Sequence, residues 1–216
     1  MKILYKLTTR SRPDKAFRSI DNIRESTVEK DPWILVTMDS NDPSCTSSGF
    51  KAALKDIPNV FTYWGESKNK IDAINRDVPK SGWDIIVATS DDIMFKPGFD
   101  AVIKNDVALM GDDCTVHYTD GFPHGLIMTV PIMTKKYYDR LGYIYNPVYT
   151  SLFCDEEAIH VGNNLKKILY SDAQILEHFH PAWNKAAWDE QYRFTDGFYL
   201  QDKAVYEKRK AENFRL

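Results

Sequence analysis

Short apolar runs alternate with amphipathic stretches through the first half of the chain. Ile3 to Thr8 reads as a strand, followed by the polar loop Thr9-Arg10-Ser11-Arg12-Pro13. Phe17, Ile20 and Ile23 then recur at roughly helical spacing, and Ser11 and Asp14 stand at capping-box distance with Asp in place of Glu or Gln. Trp33 to Met38 predicts a second strand that ends at Asp39, before the turn-rich Ser40-Asn41-Asp42-Pro43-Ser44. A helix around Gly49 to Lys55 leads to a third strand, Val60 to Trp64. Ser67 is placed to cap a helix in which Ile71, Ile74 and Val78 share one face. The run Ile85 to Thr89 is short, uncharged and rich in β-formers, the pattern of a strand buried on both faces. Asp91 and Asp92 follow its carboxyl end, with Pro97 and Gly98 marking the turn out.

This β-α-β-α-β-α-β order predicts an α/β fold with a mainly parallel central sheet flanked by helices on both faces. The second half is less regular. Leu126 to Met133, Ile168 to Tyr170 and Gln174 to Phe179 read as strands, Lys135 to Leu141 and Asp155 to Lys167 as helices. No repeat, low-complexity tract or linker divides the chain, so positions 1–216 are read as a single domain. No GxGxxG follows the first strand and no GxxxxGK[ST] occurs, which argues against a dinucleotide or P-loop fold.

Composition narrows the partners. A formal net charge of -3 over 216 residues marks no nucleic-acid binder. Cys45, Cys114 and Cys154 are odd in number and far apart, so neither a disulfide framework nor a zinc site is expected. There is no signal peptide and no apolar run of transmembrane length, and a reducing cytoplasm is the expected location. Lys208, Arg209 and Lys210 leave a peripheral membrane contact open, although Asp202, Glu207 and Glu212 offset them and favour a solvated helix.

The candidate chemistry gathers where such a sheet binds ligands, outside the carboxyl ends of its strands. Arg10 and Arg12 leave the first strand, Asp39 the second, and Asp91 and Asp92 the fourth, while Lys70-Ile71-Asp72-Ala73-Ile74-Asn75 opens the helix after the third. An adjacent acid pair either grips a divalent metal that holds phosphate oxygens or simply begins a turn. Further on, Asp155, Glu156 and Glu157 suit the dipole of a helix start. His178 and His180 alternate with Phe179 and so share a face, as metal ligands or as structural histidines. No GxSxG elbow is present.

Taken in order, the Thr9-to-Pro13 loop, Asp39, Lys-x-x-Ala-x-Asn, Ser90-Asp91-Asp92, Asp155-Glu156-Glu157 and His178-Phe179-His180-Pro181 resemble the GT-A glycosyltransferases, particularly family-two-like ones. The resemblance runs from about Ile3 to about Trp183. Two motifs depart from the pattern: Ser90 stands where Asp-x-Asp has its first carboxylate, and Cys154 replaces the Glu of Glu-Asp. The resemblance implies a GT-A-like (Rossmann-like) fold with a nucleotide-binding half at 1–100, an acceptor and metal half at 101–200 and a C-terminal helix at 201–216. It implies a metal-dependent, hexosyltransferase-like enzyme that moves a sugar from a nucleotide-diphosphate-sugar donor to a hydroxyl of a glycan, lipid or protein acceptor. Thr8, Arg10, Asp39, Lys70, Asn75 and Asp91 would contact the nucleotide. Asp92 and His180 would hold manganese or magnesium, and Asp155 would be the base of an inverting transfer. Two alternatives remain beside it: a metal-dependent phosphoryl-transfer or phosphodiester-cleaving enzyme, and a catalytically silent nucleotide-sugar binding module.

Overall fold

The structure, a computed structural model, describes residues 1–121 and 127–215. The first half contains β1 (Ile3–Thr8), α1 (Pro13–Ser26), β2 (Trp33–Asp39), α2 (Pro43–Thr46), α3 (Ser48–Lys55), β3 (Val60–Gly65), α4 (Lys70–Asn75) and β4 (Ile85–Ser90). The chain continues through β5 (Ile93–Phe95), α5 (Phe99–Met110), β6 (Thr115–Tyr118), β7 (Ile132–Thr134) and α6 (Lys135–Leu141). It finishes with α7 (Cys154–Leu165), β8 (Ile168–Ser171), β9 (Leu176–His178), α8 (Glu190–Asp196) and α9 (Tyr199–Ala211).

Seven strands form one sheet in the order β3-β2-β1-β4-β7-β6-β8. The pairings β3-β2, β2-β1, β1-β4 and β6-β8 are parallel, and β7 runs antiparallel between β4 and β6. Alternation along the central strands explains the two-sided core. Tyr5, Leu7, Val36, Ile85 and Val87 face one layer, against Ile20 of α1 and Phe99 and Ile103 of α5. Leu4, Leu35, Ile86 and Ala88 face the other, against Ile71 of α4, Tyr137 of α6 and Tyr206 of α9. All three cysteines are free and buried. Among the described residues no helix is long and apolar enough to cross a membrane.

The differences from the sequence expectations have local causes. Ser11 does not cap α1: it has φ of 59° and its N–H is taken by the Asp42 carboxylate at 2.6 Å, so the helix opens at Pro13, whose ring suits a first helical position. Asn69 rather than Ser67 caps α4, and the helix stops before Val78 because Arg76 turns extended and donates to the Met38 carbonyl at 2.5 Å. The strand expected over Leu126 to Met133 is confined to β7, and Leu126 lies outside the described residues. Helix α5 and strand β6 were not anticipated, and the C-terminal helix begins at Tyr199. Within the basic C-terminal cluster, Arg209 turns inward to a bidentate pair with buried Glu157 at 2.6 and 2.8 Å, which removes it from any membrane-facing patch.

Lys6 is the anomaly of the core, a lysine with 0% exposure in the middle of β1. Its ammonium donates to Thr37 Oγ1 and, at 3.3 Å, to the Ala73 carbonyl. Burial pushes its pKa down to about 7 even though Asp77 pulls the other way. An unfolded lysine titrates near 10.4, so between about pH 7 and about pH 10 the unfolded chain binds more protons and stability rises with pH. Denaturant unfolding of wild type and Lys6→Met across that range tests this. The wild type is expected to gain on the variant by at most about 1.4 kcal/mol per pH unit, and parallel curves would refute the shift.

Candidate active site

Parallel register sets the ends of three strands level. Thr8 pairs with both Thr37 and Ser90, so the exits of β1, β2 and β4 open onto one edge of the sheet. The start of α4, the start of α7, the end of β9 and α8 close around that edge, leaving a cleft of about 470 Å³. The volume falls in the range of small-molecule sites. Thr8, Arg10, Asp39, Lys70, Asp91, Asp92, Asp155 and His180 all line it.

On the β2 side, Asp39 Oδ2 accepts from Arg10 at 2.5 Å, and Arg10 also donates to Asn41 at 2.8 Å. Among the described residues Asp39 Oδ1 is buried with no hydrogen-bond partner, as are Thr8 Oγ1, Arg12 Nε and Ser151 Oγ, all on residues that line the cleft. Buried polar atoms are rarely left unsatisfied, and here four of them cluster around one opening.

The acid pair lies just beyond β4, and both carboxylates border the same cleft rather than opposite faces. Asp91 accepts from Thr9 Oγ1 at 2.7 Å and from Arg12 at 3.1 Å. Burial, followed by the charge of Asp92, raises its carboxyl to about 6 against the pull of Arg12. Asp92 accepts from Ser90 Oγ and from Tyr192 Oη at 2.9 Å, and lies 3.4 Å from His178 Nε2. Burial opposes its charge, yet His178, Ser90 and Tyr192 together hold it well below the usual carboxylate range. The β5-β9 pairing places His178 there: Ile93 is in register with His178, and Phe179 N–H donates to the Asp92 carbonyl at 2.8 Å. The other ring nitrogen of His178 lies 3.0 Å from Asp120, and the two carboxylates outweigh burial to raise the imidazole to about 9.

His180 lies beside it, with ring centroids 5.0 Å apart. Burial and the charge on His178 push His180 down to about 4, so it is neutral at pH 7. Its Nδ1 accepts the Ala182 N–H at 3.2 Å, which assigns the ring proton to Nε2.

At the start of α7 the three acids separate. Glu157 is 2% exposed and spends both oxygens on Arg209, Tyr149 and Asn146. Among the described residues Asp155 is the acid of this trio that borders the cleft. Burial raises its carboxyl above the ordinary value, with Lys70 the strongest opposing charge. The facing wall is held from behind by Asp202 of α9, which accepts the N–H groups of Thr150, Ser151 and Leu152 at 2.7–3.0 Å.

Asn75 does not reach the cleft. Its amide donates to the Tyr145 carbonyl at 2.7 Å and accepts from the Ile144 and Tyr145 N–H groups at 2.9 and 3.0 Å. Expected from the resemblance to contact nucleotide, this side chain at the last position of α4 meets the loop over Ile144 and Tyr145 instead of lining the cleft. Conversely, Lys68 and Tyr192 line the cleft without a sequence signal that singles them out, and His178, a metal-ligand or structural candidate from the sequence, lines it too. Arg12 was read as a loop charge near the sheet edge, and the structure makes it the partner of Asp91.

No protein-family model and no curated protein matches the chain. Solved structures do. The mannosyltransferase PcManGT from Pyrobaculum calidifontis, solved with GDP-Man and Mn2+, aligns with a TM-score of 0.63 at 16% identity, over 84% of this chain and 59% of that one. S. aureus TarS 1-349 in complex with UDP-GlcNAc aligns with a TM-score of 0.63 at 8% identity, over 82% and 57%. The galactosyltransferase LgtC, solved with donor and acceptor sugar analogues, gives 0.53 at 10% identity, over 90% and 100%. The chain has the GT-A fold. It spans less than two thirds of the first two proteins.

In this GT-A cleft the donor set does not fit a divalent cation, which needs carboxylate and imidazole lone pairs converging on one point. Among the described residues no three His, Cys, Asp or Glu side chains do so. Asp91 is engaged by Thr9 and Arg12, Asp92 by Ser90, Tyr192 and His178, and His180 carries its proton on Nε2. As arranged here, Asp92 and His180 each sit in hydrogen bonds of their own, Asp92 with Ser90 and Tyr192 and His180 with the Ala182 N–H.

Asn75 supplies a direct check on these placements. Asn75→Ala removes three hydrogen bonds to loop backbone, each worth about 1 kcal/mol. Unfolding midpoints should fall by an amount matching a loss of about 2–3 kcal/mol. Nucleoside-diphosphate affinity below the midpoint is expected to stay at the wild-type value, and a selective loss of affinity would return Asn75 to the nucleotide site.

Proposed function

We propose that this chain is a glycosyltransferase, moving a hexosyl group from a nucleoside-diphosphate donor to an acceptor hydroxyl with inversion. The observation that carries this is the set of buried polar atoms without partners among the described residues, on residues around a cleft that Asp155 also lines, its Oδ1 accepting only the neighbouring Glu156 N–H at 3.0 Å among the described residues. Among the described residues Asp39 Oδ1 and Thr8 Oγ1 have no hydrogen-bond partner, and Asp155 lines the same cleft. A donor with a hydrogen-bonding base and a polyanionic tail supplies the missing partners. The GT-A neighbours, solved with GDP-Man and with UDP-GlcNAc, make such donors the first to try.

In the proposed transfer Asp155 accepts the proton of the acceptor hydroxyl. That oxygen attacks the anomeric carbon from the face opposite the diphosphate, and the bond from anomeric carbon to phosphate oxygen breaks. The nucleoside diphosphate leaves with the electron pair. A carboxyl raised by burial is a better base than a solvated one, because general-base efficiency grows as the pKa nears the working pH. Developing charge on the leaving group is stabilised by fixed positive groups within the cleft. The phosphodiester-cleaving alternative asks for carboxylates bridging two ions, whereas Asp91 and Asp92 are engaged by Arg12 and His178.

The test is donor consumption across a panel of nucleotide sugars, with and without simple glycan acceptors, read as nucleoside diphosphate released and product mass. Transfer with an inverted anomeric centre is expected. Donor bound but never consumed would favour a silent binding module, and cleavage indifferent to acceptor would favour a hydrolase. Asp155→Asn should lower turnover about a hundred- to ten-thousand-fold while sparing donor affinity. Near-normal turnover in that variant would remove Asp155 from the mechanism.

A further inference from the structure

We propose that Arg12 is the resident cation of the Asp91–Asp92 pair, and that the cleft takes a nucleoside diphosphate without a divalent metal, its phosphates held by Lys68 and Lys70. The inference rests on the donor reading above and departs from the metal-dependent expectation for the fold. Two sets of contacts carry it.

The first is the enclosure of Arg12. One guanidinium nitrogen meets Asp91 at 3.1 Å and another meets Asp189 at 2.6 Å. The guanidinium carbon sits 4.1 Å from the centroid of the Tyr192 ring, and the hydroxyl of that tyrosine donates to Asp92 at 2.9 Å. One cation thus engages the first carboxylate directly and the second through the ring it stacks on. Asp189 also caps α8 by accepting the Tyr192 N–H at 3.0 Å, so the same helix end fixes both the carboxylate and the ring. A divalent ion entering at Asp91 would meet a permanent positive charge held on three sides.

The second is the division of the cleft's cations. Arg10 is committed to Asp39 and Asn41, and Arg12 to Asp91 and Asp189. Lys68 and Lys70 line the same cleft, and their ammonium groups have neither ion pair nor hydrogen bond among the described residues. Their backbone is nevertheless fixed: Lys68 N–H donates to Asp72 at 2.9 Å, and the Asn69 side chain accepts from Asp72 N–H at 2.9 Å. Two unspent point charges on an anchored segment suit a diphosphate, for which lysine is a common partner. Lys70 also exerts the strongest opposing charge on the Asp155 carboxyl, the proposed base.

Titration calorimetry with UDP and with GDP, in EDTA and again with excess manganese, tests the proposal on the full chain. At least one nucleotide is expected to bind with the same affinity in both buffers, and more weakly as salt is raised. Lys68→Ala combined with Lys70→Ala should weaken that binding by about tenfold or more with circular dichroism unchanged, and Lys70→Arg should retain it. Should the double variant melt early, Lys70→Gln alone serves, with the same direction expected. Binding that appears only with manganese, or a folded lysine variant that binds like wild type, would overturn this inference and leave the donor reading standing. Failure of every nucleoside diphosphate in both buffers would overturn the two together.

Discussion

Two adjacent carboxylates buried at the end of a parallel strand are the constraint around which the functional half of this molecule is organised. A buried charge without a partner costs several kcal/mol, so Asp91 and Asp92 require compensation. Each receives it from a distant part of the chain. Arg12 comes from the loop after β1, His178 from the end of β9, and Tyr192 from α8. The small β5-β9 sheet, the α8 helix and the first loop are thereby tied to one point on the central sheet.

A second, quieter network lies beneath the β2 side. Lys6 bonds Thr37, Thr37 donates to Asp77 at 3.1 Å, Asp77 pairs with Arg76 at 2.6 Å, and Arg76 approaches Asp39 at 3.7 Å. Charges alternate along this path from the core to the floor of the cleft. Asp39 is consequently held in place with Oδ1 towards Arg76 and Oδ2 on Arg10. In the proposed transfer the tasks divide: Asp39 and its neighbours orient the donor, Lys68 and Lys70 neutralise its phosphates, and Asp155 takes the proton.

The legibility of the fold in the sequence follows element strength. β1, β2, β3 and β4 are apolar runs bounded by polar turns, and their limits were readable to within a residue. Once their order was known, the parallel sheet edge and the convergence of Arg10, Asp39, Lys70 and the acid pair followed. α5 was missed although it spans 12 residues, because Pro97 and Gly98 signalled only a turn and the helix begins directly after them. The orientation of Asn75 was not readable, since helix periodicity gives a face and not the loop that covers it. Arg12 and Asp189 meet across 177 residues of chain and Tyr192 and Asp92 across 100, and no local spacing encodes such contacts. The contacts of Asp92 and His180 were unreadable for the same reason: their partners, Tyr192 and the Ala182 N–H, lie far along the chain or act through backbone.

The most direct measurement is a crystal structure of the protein with a nucleoside diphosphate, grown in manganese with anomalous data collected at its absorption edge. The account predicts phosphate density beside Lys68 and Lys70, Asp39 on the base, and the Arg12–Asp91 contact intact with no anomalous peak between the carboxylates. Manganese bridging Asp91 or Asp92 to the diphosphate, with Arg12 displaced, would contradict it.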